Sequence, residues 1–262
     1  MNLLPALNPR LVDWAGKRVW LVGASTGIGA ALAKALAAQG ARVAVSARHA
    51  ERLQALAGSL PEAQALPMDA TCDADWARCH ASLQHSWGGI DLLVFCAADY
   101  RPQRAWEVSS ASAARTMDLN LISAYRALEH ALPAMLARGS GGFALIASVA
   151  GYMGLPNATV YGPSKAALIN LAEVLYADLH PRGLGVYLIN PGFVETPLTA
   201  QNQFTMPALQ TPEQAASAIV RGLAQGRFEI DFPKRFTRSL RWISLLPHRW
   251  RFALLERTLH LS

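Results

Sequence analysis

Between Arg18 and Ser46 the chain runs through a short apolar stretch, a glycine-rich turn, a helical stretch and a second apolar stretch. That order leaves few folds open. Arg18-Val-Trp-Leu-Val has the apolar, β-branched content of a buried strand, and Arg42-Val-Ala-Val-Ser repeats it. Ala30 to Gln39 is rich in Ala, Leu and Lys and predicts a helix that stops at Gly40. Strands joined through a helix run parallel, and a parallel sheet needs helices over both faces. The intervening Gly23-Ala-Ser-Thr-Gly27-Ile-Gly29 has a physical use. Gly23 permits a tight turn, while Gly27 and Gly29 let backbone and helix approach a pyrophosphate at the helix N-terminus, where unpaired N–H groups favour an anion.

The alternation continues. Ala65–Asp69 reads as a third strand, Thr71–Trp87 as a helix, and Asp91–Ala98 as a fourth strand. Ser112–Arg138 reads as one long helix containing Asn120, and Gly141–Ala147 as a fifth strand. Leu184–Asn190 is a sixth strand, Thr211–Gln225 a helix with a good N-cap, and Phe228–Phe232 a last strand. With 52% apolar and 16% charged residues in 262, the chain suits an α/β fold: a Rossmann-type doubly wound parallel sheet. Residues 1–233 are expected to form this domain, and 234–262 a basic amphipathic extension. Arg48, Asp69, Ala97, Ser148 and Pro191–Thr196 all fall at predicted strand C-terminal ends, where such sheets bind ligands.

Ser148 closes the fifth strand, and Tyr161 and Lys165 sit in the first turns of a helix whose apolar residues recur at Leu168, Leu171, Leu175 and Leu179. Residues four apart share a helix face, so a phenol and an ammonium stand side by side. A tyrosine that titrates near ~10 is a poor base at neutral pH, and a close cation favours its phenolate. The phenol can then exchange a proton with an alcohol or ketone oxygen that Ser148 also binds. Alone, Tyr-x-x-x-Lys is the spacing of an ordinary helix face; the convergence with the glycine turn gives it weight. At the second strand end, Ala47-Arg48 stands where an acidic residue would bind the ribose hydroxyls of NAD. A guanidinium there suits a 2′-phosphate, which favours NADP over NAD.

Together these residues resemble the short-chain dehydrogenase/reductase family, of its classical type, over about residues 14 to 232. Asn120, Ser148, Tyr161 and Lys165 match its catalytic tetrad, with thirteen residues from Ser148 to Tyr161 and four more to Lys165. The resemblance implies that Tyr161 is the acid/base, that Ser148 and Tyr161 bind the substrate oxygen, that Lys165 lowers the Tyr161 pKa and holds the nicotinamide ribose, and that Asn120 holds a relay water. It implies cofactor contacts at Gly23, Ser25, Gly27, Ile28, Gly29, Arg48, Asp69, Ala97, Tyr161, Lys165, Pro191, Val194 and Thr196. It also implies a homodimer or homotetramer through the helices holding Asn120 and Lys165. Two departures stand out: Phe95-Cys-Ala-Ala98 replaces the usual Asn-Asn-Ala-Gly, and Val22 replaces a usual Thr. The first is expected to alter the local sheet and cofactor bonding.

Leu198–Leu209 is expected to be a lid which, with Met153, Leu155 and Phe193, makes an apolar pocket for a hydrophobic ketone, aldehyde or secondary alcohol. Cys72, Cys79 and Cys96 form no C-x-x-C and the seven His are scattered, so no disulfide framework or metal site is expected. No apolar run reaches the ~18 residues that span a bilayer, and residues 1–10 do not read as a signal peptide, which leads to the expectation of a cytoplasmic protein. The net charge of +6 is local: residues 233–262 hold seven of the 24 basic side chains and one of the 18 acidic ones, leaving 17 of each elsewhere. In this tail Phe236, Leu240 and Ile243 share one face and Arg235, Arg238 and Arg241 another, with Phe252, Leu255 and Leu259 repeating the pattern after Pro247. Two readings stay open: an interfacial helix at the inner face of a membrane, or an apolar face docked on protein with solvated arginines. Strong apolar faces argue against a nucleic-acid partner. The alternative to an enzyme is a cofactor-binding regulatory or scaffold protein on the same fold, which has no need of all four tetrad groups.

Overall fold

The computed structural model describes residues 5–202 and 204–259; expectations on residues 1–4, Gln203, the Leu259 side chain and residues 260–262 lie outside the described residues. The first unit is β1 (Arg18–Val22), α1 (Gly27–Ala37) and β2 (Arg42–Ser46). Then come α2 (Ala50–Gly58), β3 (Gln64–Ala65), α3 (Asp73–Trp87), β4 (Leu92–Phe95), α4 (Ser110–Met117), α5 (Ser123–Arg138), β5 (Gly142–Ile146) and α6 (Tyr161–Leu179). The chain continues through β6 (Gly185–Pro191), α7 (Pro212–Ala224), β7 (Glu229–Phe232), α8 (Lys234–Ser244) and α9 (His248–Leu259). The strands form one seven-stranded sheet in the order β3-β2-β1-β4-β5-β6-β7, with every neighbouring pair parallel. The order reverses between β1 and β4, so the loops leaving these strands part to opposite faces and open a crevice.

β1 shows how the sheet divides the core. Trp20 and Val22 face one side, where α3, α5 and α6 supply Trp76, Ala127 and Leu168. Val19 and Leu21 face the other, where α1, α2 and α7 supply Leu32, Leu53 and Ile219. The Trp20 and Trp76 rings meet edge-on with centroids 5.2 Å apart, and each buried indole N–H has an acceptor: Ser46 Oγ for Trp20 at 2.9 Å, the Ala70 carbonyl for Trp76 at 2.8 Å.

Two elements differ from expectation. The third strand is regular only over Gln64–Ala65, although the Leu66 and Met68 amides still donate to the Val45 and Ala47 carbonyls; Pro67, between them, turns its nitrogen to the open edge of the sheet, where no N–H is needed. The helix expected over Ser112–Arg138 is two helices around a π-helical segment, Asp118–Ile122, which contains Asn120. In the tail α8 docks on the domain with Arg235 and Arg238 left exposed, while Lys234 and Arg241 are drawn into contacts with it. Phe236 of α8 packs on Phe193 with ring centroids 5.6 Å apart, Lys234 and Thr237 bond Asp231, and Arg241 pairs with Glu229 and lies over the Tyr152 ring, 4.9 Å from its centroid.

The segment before β1 also has a packing role. Asn8 is buried, its amide donates to the Val186 carbonyl at 2.6 Å, and its side-chain oxygen accepts from the Val186 N–H at 2.9 Å. It thus satisfies both backbone groups of one β6 residue. Asn8→Ala strands them and is expected to lower the unfolding free energy in urea by about 1–3 kcal/mol. A loss under about 0.5 kcal/mol, the range of an ordinary surface change, would contradict this.

Candidate active site

The carboxyl ends of the strands border one cleft of about 400 Å³. The β1–α1 loop contributes Gly23, Ser25, Gly27, Ile28 and Gly29; the end of β2 contributes Ala47, Arg48, His49 and Arg52; and Asp69 follows β3. Cys96–Ala98 follow β4, Ser148 follows β5, Tyr161 and Lys165 project from α6, and Pro191, Val194 and Thr196 follow β6. Three of the four expected tetrad residues therefore line the cleft, as do all the expected cofactor positions.

Asn120 does not line it. It is fully buried behind the cleft, accepting from the Asp99 N–H at 2.7 Å and donating to the Asp99 carbonyl at 2.9 Å and to Ser164 Oγ at 3.0 Å. Its side chain clamps the loop that leaves β4 to α6, three residues after Tyr161. The π segment displaces Asn120 out of α-helical register, so the position is neither a surface residue nor a side chain at the reacting end.

Ser148 is held near α6 by a short turn. Its hydroxyl accepts from the Ala150 N–H at 3.1 Å, and the turn ends at Gly151. A Cβ on Gly151 would lie 2.7 Å from the Lys165 carbonyl carbon and 2.8 Å from the Ala166 nitrogen, so only bare backbone fits against α6 here. The glycine loop meets the end of β4 as closely: a Cβ on Gly23, whose φ is +89°, would sit 2.4 Å from the Ala97 nitrogen. The departure Phe95-Cys-Ala-Ala98 leaves the sheet intact. Phe95 keeps its register with Val22 and Leu145, and the Cys96 N–H donates to the Val22 carbonyl at 2.8 Å.

The electrostatics differ from expectation. Burial pushes the Tyr161 hydroxyl up to about 12, with the Ser148 hydrogen bond pulling it down and Tyr100 adding to the rise. Burial brings the Lys165 amine down to about 8, offset in part by Cys96. Lys165 Nζ donates to the Ile146 carbonyl at 2.9 Å and lies 5.5 Å from the Tyr161 ring centroid. In the protein alone the amine is directed at backbone, burial disfavours its charged form, and the shift of the phenol comes from burial, Ser148 and Tyr100. The Cys96 thiol, pushed up to about 12 by burial, stays protonated.

Several residues in or beside the cleft went unread in the sequence. Tyr100 meets Tyr161 edge-on at 4.9 Å, and its hydroxyl donates to Asn202 Oδ1 at 2.8 Å. Gln201 donates to the Tyr100 carbonyl at 3.0 Å, so the segment after β6 is tied across the cleft mouth. Nothing in the sequence marks Tyr100, whose place depends on a contact across about a hundred residues. His49 and Arg52 were readable, as a basic group continuing from Arg48.

The cleft fits a dinucleotide. Thr26 at the N-cap of α1 makes no side-chain capping bond, and the first turn holds no acidic residue, so the helix N-terminus keeps N–H donors for an anion. Among the described residues no group of three or more His, Cys, Asp or Glu is placed to hold a metal ion.

Comparison with known proteins agrees with this geometry. Residues 17–206 match the family model described as short chain dehydrogenase. An uncharacterized oxidoreductase of Myxococcus xanthus is 34% identical over 243 residues, covering 91% of this chain and 96% of its own. A short-chain dehydrogenase from Streptomyces avermitilis superposes with a TM-score of 0.82 at 24% identity, covering 94% of this chain and 98% of its own. A short chain dehydrogenase/reductase from Burkholderia phymatum, solved in complex with NAD, superposes at 0.81 with 22% identity, covering 88% and 94%.

Burial of Lys165 sets a pH test on the free protein. The folded amine titrates at about 8 and the unfolded one at 10.5, so the unfolded chain binds the extra proton between these values and stability rises with pH across the window. Lys165→Met removes the penalty. Its unfolding free energy is expected to exceed that of the parent by about 3 kcal/mol below pH 8, with the excess shrinking toward pH 10. A difference that does not change between pH 7 and pH 10 would contradict the assignment.

Proposed function

The chain belongs to the short chain dehydrogenase family, and from that premise we propose that it passes a hydride between NADP(H) and an apolar ketone, aldehyde or secondary alcohol. Its family is one of oxidoreductases that use nicotinamide cofactors. The observation that carries the reading is that Ser148, Tyr161 and Lys165 line the same cleft as the glycine loop and the uncapped N-terminus of α1.

The residues divide the work as follows. Gly23, Ser25 and Gly27 at the α1 N-terminus would hold a pyrophosphate, Ile28, Ala97 and Val194 would line the cleft beside the cofactor, and Pro191 and Thr196 would hold its nicotinamide end. When bound, the nicotinamide supplies or accepts the hydride. Ser148 donates a hydrogen bond to the substrate oxygen and fixes its distance from Tyr161. In reduction, Tyr161 gives that oxygen a proton as the carbon takes the hydride, and the phenolate left behind is stabilised by a protonated Lys165. Lys165 then has to turn from the Ile146 carbonyl toward the cleft. Asn120 acts as a positioning residue through Asp99 and Ser164.

The choice of NADP rests on the end of β2, where Ala47, Arg48, His49 and Arg52 line the cleft without a carboxylate. The choice of an apolar substrate is supported by Tyr100, whose ring meets that of Tyr161, and by Phe193 and Phe204, whose rings lie 5.6 Å apart on the segment after β6. Self-association through the π segment, α5 and α6 is supported by Ile122, Tyr125 and Val174, which are large apolar side chains exposed there.

NADPH oxidation against a panel of aldehydes and ketones tests the chemistry. Tyr161→Phe is expected to lower kcat at least about 100-fold with the fold intact, and unchanged turnover would refute the role. Arg48→Ala with Arg52→Ala is expected to lower kcat/KM for NADPH about tenfold or more while leaving NADH nearly untouched. Equal losses with both cofactors would overturn the NADP preference.

A further inference from the structure

With α8 docked, the two open readings of the tail separate onto two faces of the same segment. Phe236, Leu240 and Ile243 turn toward the domain, and Leu255 of α9 is buried. A different set remains on the outside: Trp242 at 72% exposure, Leu245 at 71%, Leu246 at 40%, Trp250 at 69% and Phe252 at 53%. These five fall within eleven consecutive residues across the turn between α8 and α9. Arg251 Nη1 donates to the Ser244 carbonyl at 3.0 Å and ties the two helices at that turn.

The exposed set is mixed with charge that is mostly positive. Arg235 and Arg238 stand on the outer face of α8, two turns and one turn before Trp242, and Arg249 stands beside Trp250; all three are exposed. Among the described residues, Asp231 is spent on Lys234 and Glu229 on Arg241, which leaves Glu256 of α9, one turn past Phe252, as the single acidic side chain of the tail against Arg235, Arg238 and Arg249. Excess positive charge together with paired tryptophans is the composition of a surface that lies at a lipid–water boundary.

We propose that the outer face of α8 and α9, built on Trp242, Leu245, Leu246, Trp250 and Phe252 with Arg235, Arg238 and Arg249, seats on an anionic lipid surface. Charge decides the occupant. A second copy in a two-fold contact would bring the same arginines face to face, which is destabilising, whereas anionic headgroups complement them. A phosphate backbone would match the arginines but leave Leu245, Leu246 and Phe252 in water. No helix among the described residues is long and apolar enough to cross a membrane, so the contact is peripheral.

The test is co-sedimentation of the full chain with phosphatidylcholine vesicles with and without phosphatidylglycerol. The parent is expected to pellet with the anionic vesicles at least about tenfold more than with neutral ones, and less as salt is raised. Trp242→Ser with Trp250→Ser, both well exposed, and Arg235→Glu with Arg238→Glu are each expected to lower that pelleting at least about tenfold while keeping thermal stability and NADPH oxidation on soluble substrates. Vesicle binding needs no cofactor, so its outcome is separate from that of the catalytic reading. Equal partition of parent and variants overturns the proposal. So does a change of oligomeric state in the tryptophan variant without a change in vesicle binding, which would assign the face to a second copy.

Discussion

The cleft depends on how closely two loops pass as they leave neighbouring parallel strands. At the end of β1 the backbone of Gly23 lies against Ala97 at the end of β4, with no room for even one methyl group between them. That approach sets where α1 begins, and so where its uncapped N-terminus points. The same device recurs at Gly151, where bare backbone against α6 sets the distance from Ser148 to the helix carrying Tyr161 and Lys165. Two contacts of backbone on backbone thus register the phosphate end and the reacting end of one site against a single rigid sheet, which gives the precision that positioned chemistry requires.

What was legible in the sequence was local. β1, α1 and β2 follow from apolar periodicity and a glycine turn within about thirty residues, and the Tyr161–Lys165 pair follows from helical spacing. What was not legible depends on partners far along the chain. Asn8 is structural because Val186 lies opposite it, and Tyr100 enters the site because Asn202 and Tyr161 meet it there. The π segment at Asn120 is invisible to a pattern search, since apolar spacing continues through it from Met117 to Leu132. The Asp99 and Ser164 bonds that use the displaced side chain are tertiary.

The chemistry has a tension at its centre. Burial that shapes the cleft works against both ionised groups, raising the Tyr161 hydroxyl to about 12 and bringing the Lys165 amine to about 8. An acid/base at neutral pH needs the opposite change in the tyrosine. An oxidised nicotinamide held in this cleft would supply a positive charge, and cation and phenolate stabilise one another most where water is excluded. The burial that opposes ionisation in the protein alone therefore strengthens the pairing once that charge arrives. The tail joins this region from outside, since Phe236 backs Phe193 and Arg241 lies over Tyr152, four residues past Ser148.

The central claim is that Tyr161 is an acid/base whose ionisation is set by the cofactor. Ultraviolet difference titration measures it directly, taking the phenolate signal of the parent minus that of Tyr161→Phe, with and without saturating NADP⁺. The account predicts that this one tyrosine titrates near 12 in the protein alone and at least about one pH unit lower with NADP⁺ bound. A Tyr161 signal that stays at the same pH when NADP⁺ binds would contradict it.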